Sequence, residues 1–101
     1  MNFYPIIILS NNTYTINDLY LQIKTPVKLE NQTTIVFNNI EYSFDYLIFD
    51  DVNLITNFYS TNILHDNRIP ITNFYKATSI ENIFYSNDII NTINDIENDE
   101  I

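Results

Sequence analysis

Apolar and polar positions alternate most clearly between Thr33 and Phe44. Ile35-Val36-Phe37 is a short β-branched and aromatic run, and Ile40, Tyr42 and Phe44 alternate with Glu41 and Ser43. Two half-buried strands therefore meet at Asn38-Asn39. Asparagine tolerates the positive φ of a two-residue primed turn, so this pair predicts a central hairpin over about Thr33–Phe44. Upstream, Phe3 to Ser10 reads as a buried strand, with Pro5 near its start, where a missing N–H is tolerated, and Asn11-Asn12 closing it. Ile16, Leu19, Tyr20 and Ile23 follow i, i+3, i+4, i+7 spacing behind a Thr15 cap, which predicts a short helix from about Ile16 to Lys24. Tyr14, Ile16 and their β-branched neighbours leave a strand open there, and Pro26 forbids continuation.

Val27 to Gln32 reads as a connector into the hairpin. Beyond it, Asp45 to Ile55 is apolar first and acidic in the middle, which predicts a turn or short helical segment near Asp50. Asn57 to Leu64 reads as a strand, His65-Asp66-Asn67-Arg68 as a polar loop, and Ile69 to Tyr75 as a further strand. Thr78-Ser79-Ile80-Glu81 has the pattern of a capping box before Ile83 and Phe84. From about Ser86 onward, Ile89, Ile90, Ile93 and Ile96 share one face of an amphipathic C-terminal helix. Glu97-Asn98-Asp99-Glu100 then sets negative charge at the negative end of the helix dipole, so the final turn is expected to fray. These elements define an α+β chain with a small mixed or antiparallel sheet, a single globular domain over 1–97 and an acidic tail over 98–101.

Composition changes this picture in three ways. The chain has 101 residues, enough for one self-supporting core, and 46% of them are hydrophobic, weighted to Ile, Phe and Tyr. Cysteine and glycine are both absent. Without cysteine there are no disulfides, thiolate metal sites or thiol nucleophiles, and a reducing, intracellular setting is expected. Without glycine the familiar phosphate-cradling loops are excluded. The opening residues lack a basic n-region and their apolar run is short, so no targeting segment or membrane span is expected. The bias to Asn, Ile, Tyr and Phe is that of an AT-rich genome, a description that viruses, phages, organelles and some bacteria or protists all fit. Ile55-Thr56-Asn57-Phe58-Tyr59 recurs as Ile71-Thr72-Asn73-Phe74-Tyr75, a repeat that codon bias explains.

Thirteen acidic against four basic residues give a net charge of −9. That charge repels phosphate backbones and anionic membranes and attracts basic proteins. Candidate chemistry is thin. His65 is the only histidine, and beside Asp66 it is the one acid–base pairing in sight, within a loop of the kind that solvates itself. Asp45, Asp50 and Asp51 lack the spacing of a calcium loop and read as a solvated turn. Asn11-Asn12-Thr13 and Asn31-Gln32-Thr33 match the glycosylation sequon in a chain rich in both residues. Neither a metal nor a cofactor is expected.

The order of helix, Pro-containing connector, strand, two-residue turn, strand, acidic turn and strand resembles the ubiquitin-like β-grasp over about half the chain. The residues concerned are Ile16, Leu19 and Ile23; Ile35-Val36-Phe37, Asn38-Asn39 and Tyr42; Phe49 to Leu54; and Phe58 to Ile63. In that register Phe3 to Ser10 is the second strand, and the family's first strand is unmatched unless Ile69 to Tyr75 fills its edge. The Gly-Gly tail of conjugated members is missing. The resemblance implies a binding module presenting a sheet face.

The reading these patterns favour is a non-catalytic acidic interaction module that binds, and as a viral protein would inhibit, a basic or hydrophobic protein surface. Glu41, Tyr42, Asp45, Tyr46, Asp50 and Asp51 are the expected contact residues. The Ile89 and Ile93 face packs on its own sheet or docks in a partner groove. Tyr20, Tyr59 and Tyr75 are further candidates for partly exposed rings. The alternatives are a structural subunit of a larger complex and a nucleic-acid mimic. The mimic needs carboxylates at phosphate-like intervals, which this chain lacks before its C-terminus.

Overall fold

The computed structural model describes residues 2–100. Its spine is β5 (Ile40–Phe49), ten residues long, flanked on one side by β1 (Asn2–Leu9) in parallel. Beyond β1 lies the short parallel strand β2 (Leu21–Ile23). The other side of β5 is shared. Its first half pairs antiparallel with β4 (Thr34–Phe37), which pairs in turn with β3 (Lys28–Asn31). Its second half pairs in parallel with β8 (Ile83–Tyr85). The result is a mixed six-stranded sheet with one helix, α1 (Ile89–Glu97). The small hairpin β6 (His65–Asp66) and β7 (Ile69–Pro70) stands apart from it.

The predicted hairpin is present, with Asn38 and Asn39 at φ 52° and 62°. Asn67 and Arg68 make the same kind of turn between β6 and β7, at 49° and 66°. The sheet is covered on both faces, which is why Ile6, Ile7, Ile8 and Leu9 are all buried in succession. One face carries Ile7, Leu9, Ile23, Ile35, Leu47, Phe49 and Ile83 under the irregular segment that includes Leu54, Phe58 and Ile63. The other carries Ile6, Ile8, Ile48 and Phe84 under Ile89 and Ile93 of α1.

Tyr4 and Phe44 pack with the first layer although each lies three residues before Ile7 or Leu47. Both strands therefore change face around Pro5 and Asp45, and they do so in step, since Tyr4 pairs with Phe44 and Ile6 with Tyr46. At that point on the far side of β5, β4 has ended and β8 has not begun. Asn82 fills the interval: its Nδ2 donates to the carbonyls of Gln32 and Asp45, both at 2.9 Å, and its own carbonyl accepts from the Leu47 N–H at 3.1 Å.

Five expectations are corrected. Residues 16–24 are not helical. Asn17 Oδ1 accepts from the Leu19 N–H, and Gln22 exchanges two hydrogen bonds with the Tyr14 backbone, 2.9 and 2.8 Å, while Leu21–Ile23 pairs with Ile7–Leu9. An isolated two-turn helix is marginal, and the open edge of β1 offers those residues a ladder instead. Val27–Gln32 is largely the edge strand β3, and the alternation of Lys28, Leu29 and Glu30 was its signal. Asn57–Leu64 is not a strand but opens on a 3-10 turn at Phe58–Ser60. There the Asn57 carboxamide clamps the Leu29 N–H and C=O at 2.9 and 2.8 Å. Ile69–Tyr75 keeps strand geometry only at Ile69–Pro70. The Thr78–Glu81 pattern starts no helix: Thr78 Oγ1 donates to the Ile83 carbonyl at 2.8 Å, turning the chain into β8. The turn or short helical segment expected near Asp50 is a 3-10 turn at Val52–Leu54, capped by Asp51.

Helix α1 starts behind Asp88 and ends in a backbone closure. Asp99, at φ 56°, donates to Ile96 O and Glu100 donates to Asp95 O. These two hydrogen bonds satisfy carbonyls of the last turn against the adverse charge. Among the described residues no helix is long and apolar enough to cross a membrane.

Tyr20 ties the 11–20 loop to α1, its hydroxyl donating to Glu97 at 2.7 Å. Burial, then that hydrogen bond, then the Glu97 charge push the phenol up from 10.0 to about 12. The folded state thus keeps the proton after the unfolded chain has lost it. The stabilisation is complete below pH 10 and falls as pH rises towards 12. Urea midpoints across that window are expected to drop in the wild type and to drop less in Tyr20→Phe; equal slopes would show that the contact carries no stability.

Candidate functional site

A cleft of about 560 Å³ opens beside the junction where β4 gives way to β8. Asp45 is presented there because β5 changes face beneath it and Asn82 holds its carbonyl. Tyr46 forms a wall, its ring 6.2 Å from that of Phe84 and tilted by 49°. Glu81 enters from the turn before β8. Asn73 completes the rim, its Oδ1 committed to the Tyr75 and Ala77 N–H groups at 2.9 and 3.0 Å.

Both carboxylates in the cleft lack a basic partner: the one ion pair among the described residues is Lys28–Glu30, 3.3 Å, at the exposed edge of the sheet. Asn82 Oδ1 is buried beside them without a hydrogen-bond partner. Two uncompensated carboxylates, a phenol and an apolar wall suit the docking of an ammonium or guanidinium on an aliphatic stem. No group of three His, Cys, Asp or Glu side chains with metal-holding geometry exists among the described residues.

Asp45 and Tyr46 are the two expected contact residues that this cleft brings together. The others lie elsewhere. Glu41 is exposed about 13 Å away along the strand, by four strand residues. Tyr42 packs inward against Tyr4 and Phe37 at ring separations of 6.1 and 6.4 Å. Asp50 accepts from the Ser10 hydroxyl at 2.6 Å and Asp51 caps the 3-10 turn, so both are engaged by their own chain. Ile89 and Ile93 are 1% and 4% exposed against the sheet; as partner contacts they are corrected, because the folded chain leaves them no surface.

His65 and Asp66 do not form an acid–base pair. As neighbours on a strand they project to opposite faces, and the His65 ring lies against Phe58 and Tyr59 at 5.5 and 5.1 Å. Glu81 and Asn82 were missed from sequence, since Glu81 read as part of a helix cap and Asn82 is one asparagine among many. No family model, curated protein or solved structure matches the chain, and the site is read from its own geometry.

Proposed function

We propose that this chain is a non-catalytic, acidic protein-interaction module that takes a basic side chain of a protein partner into the Asp45–Glu81 cleft. The observation that carries this reading is the pairing, in one cleft, of two carboxylates that have no cation of their own. The net charge of −9 supports it by steering a basic surface towards the molecule. Tyr46 supplies a rigid ring for the aliphatic stem of Lys or Arg. Occupying a partner's basic surface in this way inhibits whatever else that surface binds.

Affinity capture from the source cells with the wild type and with Asp45→Asn/Glu81→Gln tests it. The double variant is expected to lose captured basic proteins by about tenfold or more, and raised salt to do the same to the wild type. Equal recovery of the same proteins by both chains, at either salt, would sink the proposal.

A further inference from the structure

Where the β3–β4 turn faces the segment after the Phe58–Ser60 turn, the two enclose a hollow of about 400 Å³, within the roughly 300–1,000 Å³ of small-molecule sites. Its floor is apolar, formed by Leu29 and Ile80, and its rim carries the neutral polar side chains Asn31, Gln32, Ser60 and Asn62. The backbone behind that rim is fixed on both sides. Asn31 Oδ1 accepts from the Thr33 N–H at 2.9 Å, the Gln32 carbonyl accepts from Asn82 Nδ2 at 2.9 Å, and the Asn62 carbonyl accepts from the Ser79 hydroxyl at 3.0 Å. These bonds run through Asn31 Oδ1 and main-chain atoms. Among the described residues the Asn31 Nδ2, the Gln32 and Asn62 carboxamides and the Ser60 hydroxyl therefore keep their full bonding capacity.

Charge, backbone and group chemistry select the ligand. Glu30 is the one charged residue at the hollow, and Lys28 holds it at 3.3 Å. No cation lines the hollow to receive an anion, and the net charge of −9 keeps anions away. An extended peptide has no ladder to join at Leu29, whose N–H and C=O are both taken by Asn57. No aromatic ring lines the hollow for a nucleobase to stack on. What remains is a neutral ligand dense in hydroxyls. A carboxamide sets a donor beside an acceptor, which matches a pair of adjacent hydroxyls, and here three carboxamides and a serine surround an apolar floor on which the C–H face of a pyranose ring can rest.

We propose that this hollow is a carbohydrate site for a neutral sugar of one or two pyranose units. The ring lies on Leu29 and Ile80, Asn31 Nδ2 donates to it from one side, and the Gln32 and Asn62 carboxamides and the Ser60 hydroxyl bond its hydroxyls. The site shares no lining residue with the acidic cleft and stands whether or not that cleft takes a basic partner.

Amide NMR of the full chain, titrated with maltose, cellobiose and diacetylchitobiose to about 50 mM, tests it, a range set by the millimolar affinity of a site with no stacking ring. At least one of the three sugars is expected to give saturable shifts at the Leu29–Thr33 and Ser60–Asn62 amides and at the Gln32 and Asn62 side-chain amides, with a dissociation constant on the order of 1–10 mM. The double variant Gln32→Leu/Asn62→Leu is expected to bind at least about tenfold more weakly. Both side chains are exposed and unbonded, so the thermal midpoint is expected to be unchanged, which separates loss of the site from loss of fold. No saturable shift with any of the three sugars overturns the proposal, as does a double variant that binds like the wild type. Glycerol moving the same amides as strongly at the same concentration also overturns it, because the hollow would then be a hydration site. Loss of binding in added salt does so too, because the ligand would then be held by charge.

Discussion

Phe49→Ala is expected to lower the unfolding free energy by about 3–5 kcal/mol, the cost of deleting a buried ring and leaving its cavity. Phe49 has no exposed surface, ends the central strand and packs its ring 6.0 Å from Phe58 and 5.2 Å from Tyr85. Those contacts join β5, the 3-10 turn at Phe58–Ser60 and β8, which the sequence separates widely. Small domains hold only about 5–15 kcal/mol in total, so the variant should be partly unfolded at 37 °C. Urea unfolding followed by near-ultraviolet circular dichroism measures it, with Phe74→Ala, at a ring that is 88% exposed, as the control expected within about 0.5 kcal/mol. Similar losses for the two phenylalanines would mean that the packing is not as described.

The second large effect is expected at Asn82, where no apolar volume is at stake. Its carboxamide bridges the two carbonyls left open between β4 and β8. Asn82→Ala removes both donors, and at about 0.5–1.5 kcal/mol for each net hydrogen bond a loss of about 1–3 kcal/mol follows. Asn82→Asp should cost at least as much, because it removes the donors and adds a charge beside Asp45 and Glu81. Hydrogen exchange localises the effect: the Phe44 and Leu47 amides, bonded to Thr33 and Asn82 on either side of the break, should lose protection before those of Ile35 or Ile8. Uniform protection loss across the sheet would show that Asn82 is an ordinary contributor and not the joint.

What could be read from the sequence divides along physical lines. The hairpin at Asn38-Asn39, the strand ending at Leu9 and the helix from Ile89 carry their own periodicity, and each is found. Besides β3 and β6, read as a connector and a loop, the strands missed are β2 and β8, three residues each, which exist because β1 and β5 present ladders to pair with. No local pattern of three residues encodes such an edge.

The repeated pentapeptide makes the same point. In Ile55–Tyr59 the asparagine clamps β3 and the phenylalanine is 1% exposed; in Ile71–Tyr75 the asparagine holds its own loop and the phenylalanine is 88% exposed. Identical residues do opposite work because one copy lies over the sheet and the other beyond it. The cleft shares this limit. Asp45 and Tyr46 stood out as an acid and a ring in a central strand, whereas Glu81 and Asn82 acquire their meaning only when β8 is laid beside β5.

The Asn57 clamp also bears on what happens when many copies meet. An isoleucine- and asparagine-rich chain has the composition from which cross-β fibres grow, and the outer margin of β3 is where an incoming strand would add. There the Leu29 amide and carbonyl are already bound by a side chain of the same molecule. Growth from that margin would first have to displace Asn57, so a residue type associated with fibre formation here terminates the ladder.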